Sequence, residues 1–497
     1  MAFAAFTNVF LKKATKSFFI FTLLIVFNTS TSASHLSDEI ALKNTYQYRV
    51  LTRELASNPS DQFSDNVRPI AQREINLINL KMSNGKRFYS NQYVQVQPVD
   101  SLRLQTLHNS ASNGLISGNF GETFAGHNYS SLNVDGSAFI NNAVLLSHET
   151  RVQYDSAQSD VYLYRYRVKT AFSKLSFSMA KDSLILGPGY FGNLISSNNS
   201  QPYQIAMLKT EVPYSAGLLG QFRWYVWHSW FDNGSANSPD AKMLGIRFAI
   251  KPSKYIDLSI TRTSSYGGNG QDIDSFDKLF NVITAKDENA KTNIDTDQLL
   301  GFDASLYLPF LKKFSPFLGG KLYTEFLVND VVLFWQTEDL GDKRIIRFLD
   351  QSSLFGLYLT TGKLDFHFEY VKTANAIYGH QATGASGSSV NGYIIGHFIG
   401  RDSNAYLSEV YYEWIRNFHI SLNTGIIVKG QRLANSQTTN TYGIGFKYFI
   451  TPKAQLEMKT TYLISDRTDI NPSPISYNFI EESNTDWHSV INLSYQF

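Results

Sequence analysis

Leu364-Asp365-Phe366-His367-Phe368-Glu369-Tyr370-Val371 is the stretch that decides the fold. Leu364, Phe366, Phe368 and Tyr370 fall on one face of an extended chain, and Asp365, His367 and Glu369 fall on the other. A strand that is apolar on one side and charged on the other suits the wall of a membrane barrel, with lipid outside and a wet lumen inside. Tyr162, Tyr164, Tyr166 and Val168 oppose Arg165, Arg167 and Lys169 in the same manner.

Outward from that strand the period of two holds, with intermissions, from about Asp100 to the last residue. Short turns fall at Lys251 to Lys254, Lys312 to Pro316, Gly362 with Lys363, Arg416 with Asn417, and Thr451 to Lys453. Long polar links lie between them: Asp232 to Lys242, Ser264 to Gln298, Thr373 to Asn404, Gly430 to Asn440 and Ser465 to Asp486. Short connections on one rim and long ones on the other are the outer-membrane pattern, short turns in the periplasm and long loops outside. In the final strand Trp487, Ile491, Leu493, Tyr495 and Phe497 share a face, and an aromatic C-terminus resembles the signal read by the barrel-insertion machinery. Together these predict an all-β transmembrane barrel of about 18 antiparallel strands, residues 99–497, its C-terminus periplasmic.

The N-terminal part reads differently. Lys12, Lys13 and Lys16 precede an apolar run from Phe18 to Phe27 and small residues ending near Ala33, so residues 1–33 read as a signal peptide. The run is about half of the roughly 20 apolar residues that a spanning helix needs. A small helical segment, residues 34–98, follows. Its two predicted helices are Ser37 to Ala56 and Asn66 to Ser83, broken at Asn58, Pro59 and Ser60.

Composition narrows the function. Taking three lysines from a formal charge of +2 leaves −1, so no basic field supports nucleic-acid binding. Cysteine is absent, which excludes a disulfide framework, a thiolate metal site and a cysteine nucleophile. The ten histidines show no metal-binding helical spacing, and neither a metal nor another cofactor is expected. His228 with Asp232, or His397 with Asp402, are the pairs that could hold a cation.

Several residues carry two readings each. Asp365, His367 and Glu369 could orient a base, or simply line a charged lumen; no Ser stands in a recognisable nucleophile context beside them. Arg165, Arg167 and Lys169 form a lumen-facing basic row that could hold an anionic polysaccharide, or balance acidic residues on neighbouring strands. Gln221 to Phe231 is rich in Trp and Tyr, which stack on sugars but also form interfacial girdles. Trp230 stands beside a long link and is the sugar-binding candidate of that strand. Gly187, Pro188 and Gly189 read as a tight bend, not a phosphate cradle.

Two stretches carry a family resemblance: Gly187-Pro188-Gly189-Tyr190-Phe191-Gly192-Asn193-Leu194-Ile195-Ser196-Ser197-Asn198-Asn199, followed by Gln201-Pro202-Tyr203, and Asn391-Gly392-Tyr393-Ile394-Ile395-Gly396-His397-Phe398-Ile399-Gly400-Arg401-Asp402. The chain resembles the Wzi-type capsule assembly family, departing from its enterobacterial members in the aromatic strand Phe222 to Phe231. The resemblance implies a non-catalytic outer-membrane surface protein that binds or anchors capsular or extracellular polysaccharide, with the helices on the periplasmic side or at the barrel mouth. Tyr190, Tyr393 and Arg401, which lie in the two motifs, are its ligand candidates. Expected partners are that polysaccharide and outer-membrane lipids, with the insertion machinery during biogenesis. A porin or substrate-specific channel, and a barrel-scaffold enzyme, are the competing readings.

Overall fold

The computed structural model describes residues 39–40, 46–76, 94–109, 128–140, 143–155, 159–231, 241–266, 297–333, 346–375, 377–378, 389–390, 393–469 and 479–497. All of these lie in the compact body Leu36–Phe497; residues 1–33, expected to be a signal peptide, lie outside the described residues.

Antiparallel pairing closes into a barrel of 18 strands plus one short extra strand, Tyr214–Ser215. In chain order the barrel strands are β1 Val94–Asn109, β2 Asn128–Ile140, β3 Val144–Asp155, β4 Ser159–Phe172, β5 Leu175–Asp182, β6 Tyr203–Thr210, β7 Gln221–Trp230, β8 Lys242–Ser253 and β9 Ile256–Tyr266. They continue as β10 Asp297–Tyr307, β11 Gly319–Leu333, β12 Ile346–Thr360, β13 Leu364–Thr373, β14 Ser403–Ile415, β15 Phe418–Lys429, β16 Gln437–Phe449, β17 Ala454–Ser465 and β18 Asn484–Gln496. The last strand pairs with the first, from Gln496 against Ser101 to His488 against Asn109, so no edge is left to water or lipid.

The alternation read at Leu364 to Val371 is what the wall does. Asp365, His367, Glu369, Val371 and Thr373 are buried, while Leu364, Phe366, Phe368 and Tyr370 are half-exposed on the outer face. Phe302, Phe326, Phe355, Tyr406, Leu422 and Ile491 continue the apolar outer band on other strands. A lapse falls on β4. A register shift against β3 leaves Tyr164 as a bulge, so this ring turns inward beside Arg165 instead of joining Tyr162 and Tyr166.

Short turns at Ser173–Lys174, Lys254–Tyr255, Thr361–Lys363, Arg416–Asn417 and Ile450–Lys453 mark one rim, which also carries the C-terminus. The strand ends Asp182 and Tyr203, Tyr266 and Asp297, Thr373 and Ser403, and Ser465 and Asn484 mark the other, and Asp155 and Ser159 share that rim.

The N-terminal helices differ from expectation. The first, α1, covers Tyr46–Ser57. Tyr48, Leu51 and Leu55 share a buried stripe at helical spacing, and Pro59 blocks continuation. Of the predicted Asn66 to Ser83 helix only α2, Gln72–Asn76, is helical among the described residues. The residues before it pair as strands: Val67–Arg68 with Ile185–Leu186, and Ile70–Ala71 with Glu39–Ile40. Backbone partners supplied by a distant link outweighed a local apolar period that suited either structure.

Candidate functional site

Segments of the chain enter the interior from both rims. Helix α1 lies inside the short-turn end, where Arg53 forms an ion pair with Asp365 at 2.7 Å and another with Glu413 at 2.7 Å. Residues 63–71 extend this packing. Asp65, fully buried, accepts from Lys321 Nζ at 3.0 Å and Tyr307 Oη at 3.0 Å. Burial alone would raise the Asp65 pKa, but the Lys321 ammonium, Arg68 and the Tyr307 hydroxyl together outweigh it and hold the carboxyl below its ordinary value.

From the other rim the link 183–202 folds into the lumen. Gly187 has φ +126, a conformation side chains resist, and its N–H donates to Asn66 O at 2.8 Å. At the tip, Tyr190 N–H donates to the Glu369 carboxylate at 2.5 Å, and Leu194 N–H donates to Glu325 at 2.7 Å. Tyr190 is 7% exposed. Its hydroxyl donates to Glu409 at 2.7 Å and accepts from Arg49 Nη2 at 2.6 Å, while Arg49 itself pairs with Glu409. The Arg49 guanidinium also lies 4.0 Å from the centre of the Tyr411 ring. Burial pushes the Tyr190 hydroxyl pKa well above its usual value, although Arg49 opposes the shift. The N-terminal helix and the inward link therefore meet at Arg49 and Tyr190.

The second motif packs on the first. Ser197 N–H donates to Ile395 O at 2.8 Å, Ser197 Oγ to Gly396 O at 2.6 Å, and Asn199 Nδ2 to Ile394 O at 2.8 Å. Tyr378 Oη donates to Leu194 O at 2.6 Å and accepts from His397 N–H at 3.1 Å. The His397 ring fills the space a side chain at Gly192 would need, since a Cβ there would stand 2.8 Å from Cδ2. Burial lowers the His397 pKa to about 3, so the imidazole is neutral. Leu184, Leu194, Ile395 and Ile399 are fully buried in one cluster with wall residues Trp227, Leu354 and Val371. Each such side chain contributes roughly 1.5–3 kcal/mol of burial.

Other sequence candidates sit as follows. Tyr393 is half-buried and pairs, with Ile394, against Ser389–Val390. Arg401 is half-buried beside Asp402, whose carbonyl accepts Gly430 N–H at 2.8 Å and whose carboxylate accepts Arg432 N–H at 3.1 Å. Both residues lie in the link between Thr373 and Ser403. Trp230 ends β7 on the outer face, its ring 4.2 Å from His228 and nearly perpendicular to it. The basic row faces inward and is matched by acids: Arg165 with Glu149 at 2.7 Å, Arg167 with Asp182 at 2.6 Å, and Lys169 with Glu211 at 2.5 Å.

Asp365, His367 and Glu369 do not form one constellation. Asp365 holds Arg53, Glu369 accepts the amides of Tyr190 and Phe191, and His367 stacks between Tyr190 at 3.7 Å and Tyr358 at 4.5 Å. Asp232, the proposed partner of His228, lies outside the described residues. Among the described residues no three His, Asp or Glu side chains gather as a metal site.

Sequence reading did not single out Arg49, Glu325, Tyr378 or Glu409. Each meets a partner between 131 and 360 positions away, so nothing local marks it. Only its place on a charged strand face could have pointed to Glu409.

The two motifs named from the sequence thus form a single interlocked insert inside a closed barrel. A family model described as capsule assembly protein Wzi matches residues 102–471, most of the barrel. The chain belongs to the Wzi capsule assembly family. Among solved structures, Wzi of Escherichia coli, described as a carbohydrate-binding β-barrel of the outer membrane involved in group 1 capsule assembly, aligns with a TM-score of 0.66 at 16% identity. That alignment covers 93% of this chain and 100% of the other. An uncharacterized 55.8 kDa protein from the cps region of Klebsiella pneumoniae is 30% identical over 138 residues, so the match spans only 27% of this chain and 26% of that relative. As a Wzi family member the chain is an outer-membrane β-barrel with a role in capsule assembly.

Proposed function

We propose that this Wzi family member binds capsular or extracellular polysaccharide at its long-link rim and holds it on the cell, without catalysing a reaction. The observation that carries this reading is the interlocked insert, which enters the lumen while Tyr393 and Arg401 of its second motif stay only half-buried. A ring, a hydroxyl and a guanidinium are the groups by which a glycan is stacked upon and hydrogen-bonded. The long-link rim faces outward and the short-turn rim, with Phe497 and α1, faces the periplasm, following the usual outer-membrane arrangement. Trp230 would sit at the outer interface, and Tyr190 would act on the glycan only through the insert it anchors. Alkyl chains of outer-membrane lipids cover the apolar wall, and the terminal aromatic serves the insertion machinery.

An insert packed within the lumen disfavours the porin reading. Engagement of Asp365, His367 and Glu369 in separate structural contacts disfavours an enzyme. Capsule retention tests the proposal: the gene is deleted and cell-bound polysaccharide is compared with released polysaccharide at equal total production. Polysaccharide shed into the medium, and returned to the cells by wild type but not by Y393A/R401A, is the expected result. Unchanged retention in the deletion strain would remove the anchoring role.

A further inference from the structure

The outer wall across β8, β9 and β10 carries a groove of about 280 Å³. Leu244, Ile246, Phe248, Ile260 and Leu300 line it with Arg262, and Ser264, itself buried, forms its floor between Leu244 on one strand and Gln298 on the other. Register orders the groove along the wall. Phe248, Ile260 and Phe302 form the rung nearest the short-turn rim; Ile246, Arg262 and Leu300 come next, followed by Leu244, Ser264 and Gln298, then Lys242 beside Tyr266. Arg262 Nη2 bonds to Gln298 Oε1, one rung nearer the long-link rim, so the guanidinium is directed toward that end. The groove is therefore amphipathic along its length, apolar below and cationic above.

A charged side chain on a lipid-facing strand costs about 2–4 kcal/mol at mid-bilayer and little at the interface, so a cation there must reach headgroups. The remaining outward cations on described strand residues obey the same polarity. Lys181 on β5, Lys242 on β8 and Lys372 on β13 all stand in the long-link halves of their strands. An anionic headgroup layer on that side complements them. We propose that the β8–β10 groove is a binding site for lipopolysaccharide, an acyl chain lying on Leu244, Ile246, Ile260 and Leu300 while lipid A phosphate meets Arg262 and Lys242. Lipopolysaccharide is preferred to a phospholipid because the cations crowd toward the rim read above as the outer one. The site thus rests on that orientation, but not on glycan binding.

The test measures lipid retained by the full-length mature protein in detergent, by native mass spectrometry, after exposure to hexa-acylated bisphosphoryl lipid A, to its dephosphorylated form, or to phosphatidylglycerol. Wild type should retain bisphosphoryl lipid A. The variant R262Q/K242Q should retain it about thirtyfold more weakly, from the loss of two headgroup cations. S264W should weaken retention by filling the groove with both cations still present. Heat-dependent gel mobility confirms that each barrel is folded, and K312Q at the opposite rim should behave as wild type. Equal retention by wild type, R262Q/K242Q and S264W would overturn the site. A preference for phosphatidylglycerol would overturn the choice of lipopolysaccharide and with it the orientation. Glycan binding by these variants stays at the wild-type level if both readings hold, which keeps the failure of one separate from the failure of the other.

Discussion

Replacing Arg49 by methionine removes the group that joins the N-terminal helix to the inward link. In the native state the guanidinium is shared between the Tyr190 hydroxyl, 2.6 Å away, and the Glu409 carboxylate, with Arg49 8% and Glu409 6% exposed. Without it Glu409 keeps one hydroxyl donor and loses its counter-charge. Breaking a buried pair on one side costs about 3–5 kcal/mol, because a charge is left stranded. The barrel wall need not open; the cost falls on the insert, whose amides at Gly189, Tyr190 and Leu194 donate to Asn193, Glu369 and Glu325. Hydrogen exchange at those amides should quicken by about 150-fold to several thousand-fold if local opening limits it, while exchange in β13 and β14 stays slow. The double variant R49M/E409Q removes both charges and should cost clearly less than the sum of the single changes. An acceleration under about tenfold, or strictly additive single effects, would refute the joint described for Arg49 and Tyr190.

Three further outcomes follow from the same packing. Neutral His397, with its folded pKa lowered to about 3 from 6.5, stabilises the insert above pH 6.5 and loses that contribution as the pH falls toward 3. At pH 5 the loss is about 2 kcal/mol, read as a protection factor at the Ser197 amide about thirtyfold lower than at pH 7; H397Q should flatten the dependence, and an unchanged dependence in H397Q would assign it elsewhere. G192A drives a methyl group against His397 and should destabilise the insert by about 1–3 kcal/mol, with H397A restoring part of the loss; no change in exchange for G192A would mean that the ring is free to move. In planar bilayers the wild-type barrel should show no steady conductance, and replacing 184–200 by a short Gly-Ser linker should create one. A wild-type barrel that conducts steadily would restore the channel reading.

How far the sequence was legible depends on the range of the interaction that decides each feature. The wall of β13 could be read directly, since a period of two separates lipid from lumen and Asp365, His367 and Glu369 obey it. The later part of the expected Ser37 to Ala56 helix was legible for a similar reason, with Leu51 and Leu55 one turn apart and Pro59 closing it, whereas Glu39–Ile40 near its start is strand. Tyr164 broke its pattern because a bulge depends on the register of two strands, which neither strand encodes alone. Val67 to Ala71 was read as helix because its partners, Ile185–Leu186 and Glu39–Ile40, are distant or separate segments of chain. The insert was only half legible. Both motifs stood out, but the contact of Ser197 with Ile395 and Gly396 spans about two hundred positions and leaves no periodic mark.

Closure of β18 on β1 constrains the order of assembly. That seam joins the two ends of the sheet, so it cannot form until every intervening strand has been made. The acids Glu325, Glu369 and Glu409 point inward and find their partners on α1 and the inward link, not on the wall alone. A sheet sealed before those segments enter would hold carboxylates without counter-groups, reachable only along the barrel axis through the two rims. The wall and its contents are thus one electrostatic unit: the sheet supplies the acids, and the segments that enter it supply the donors that make burying them tolerable.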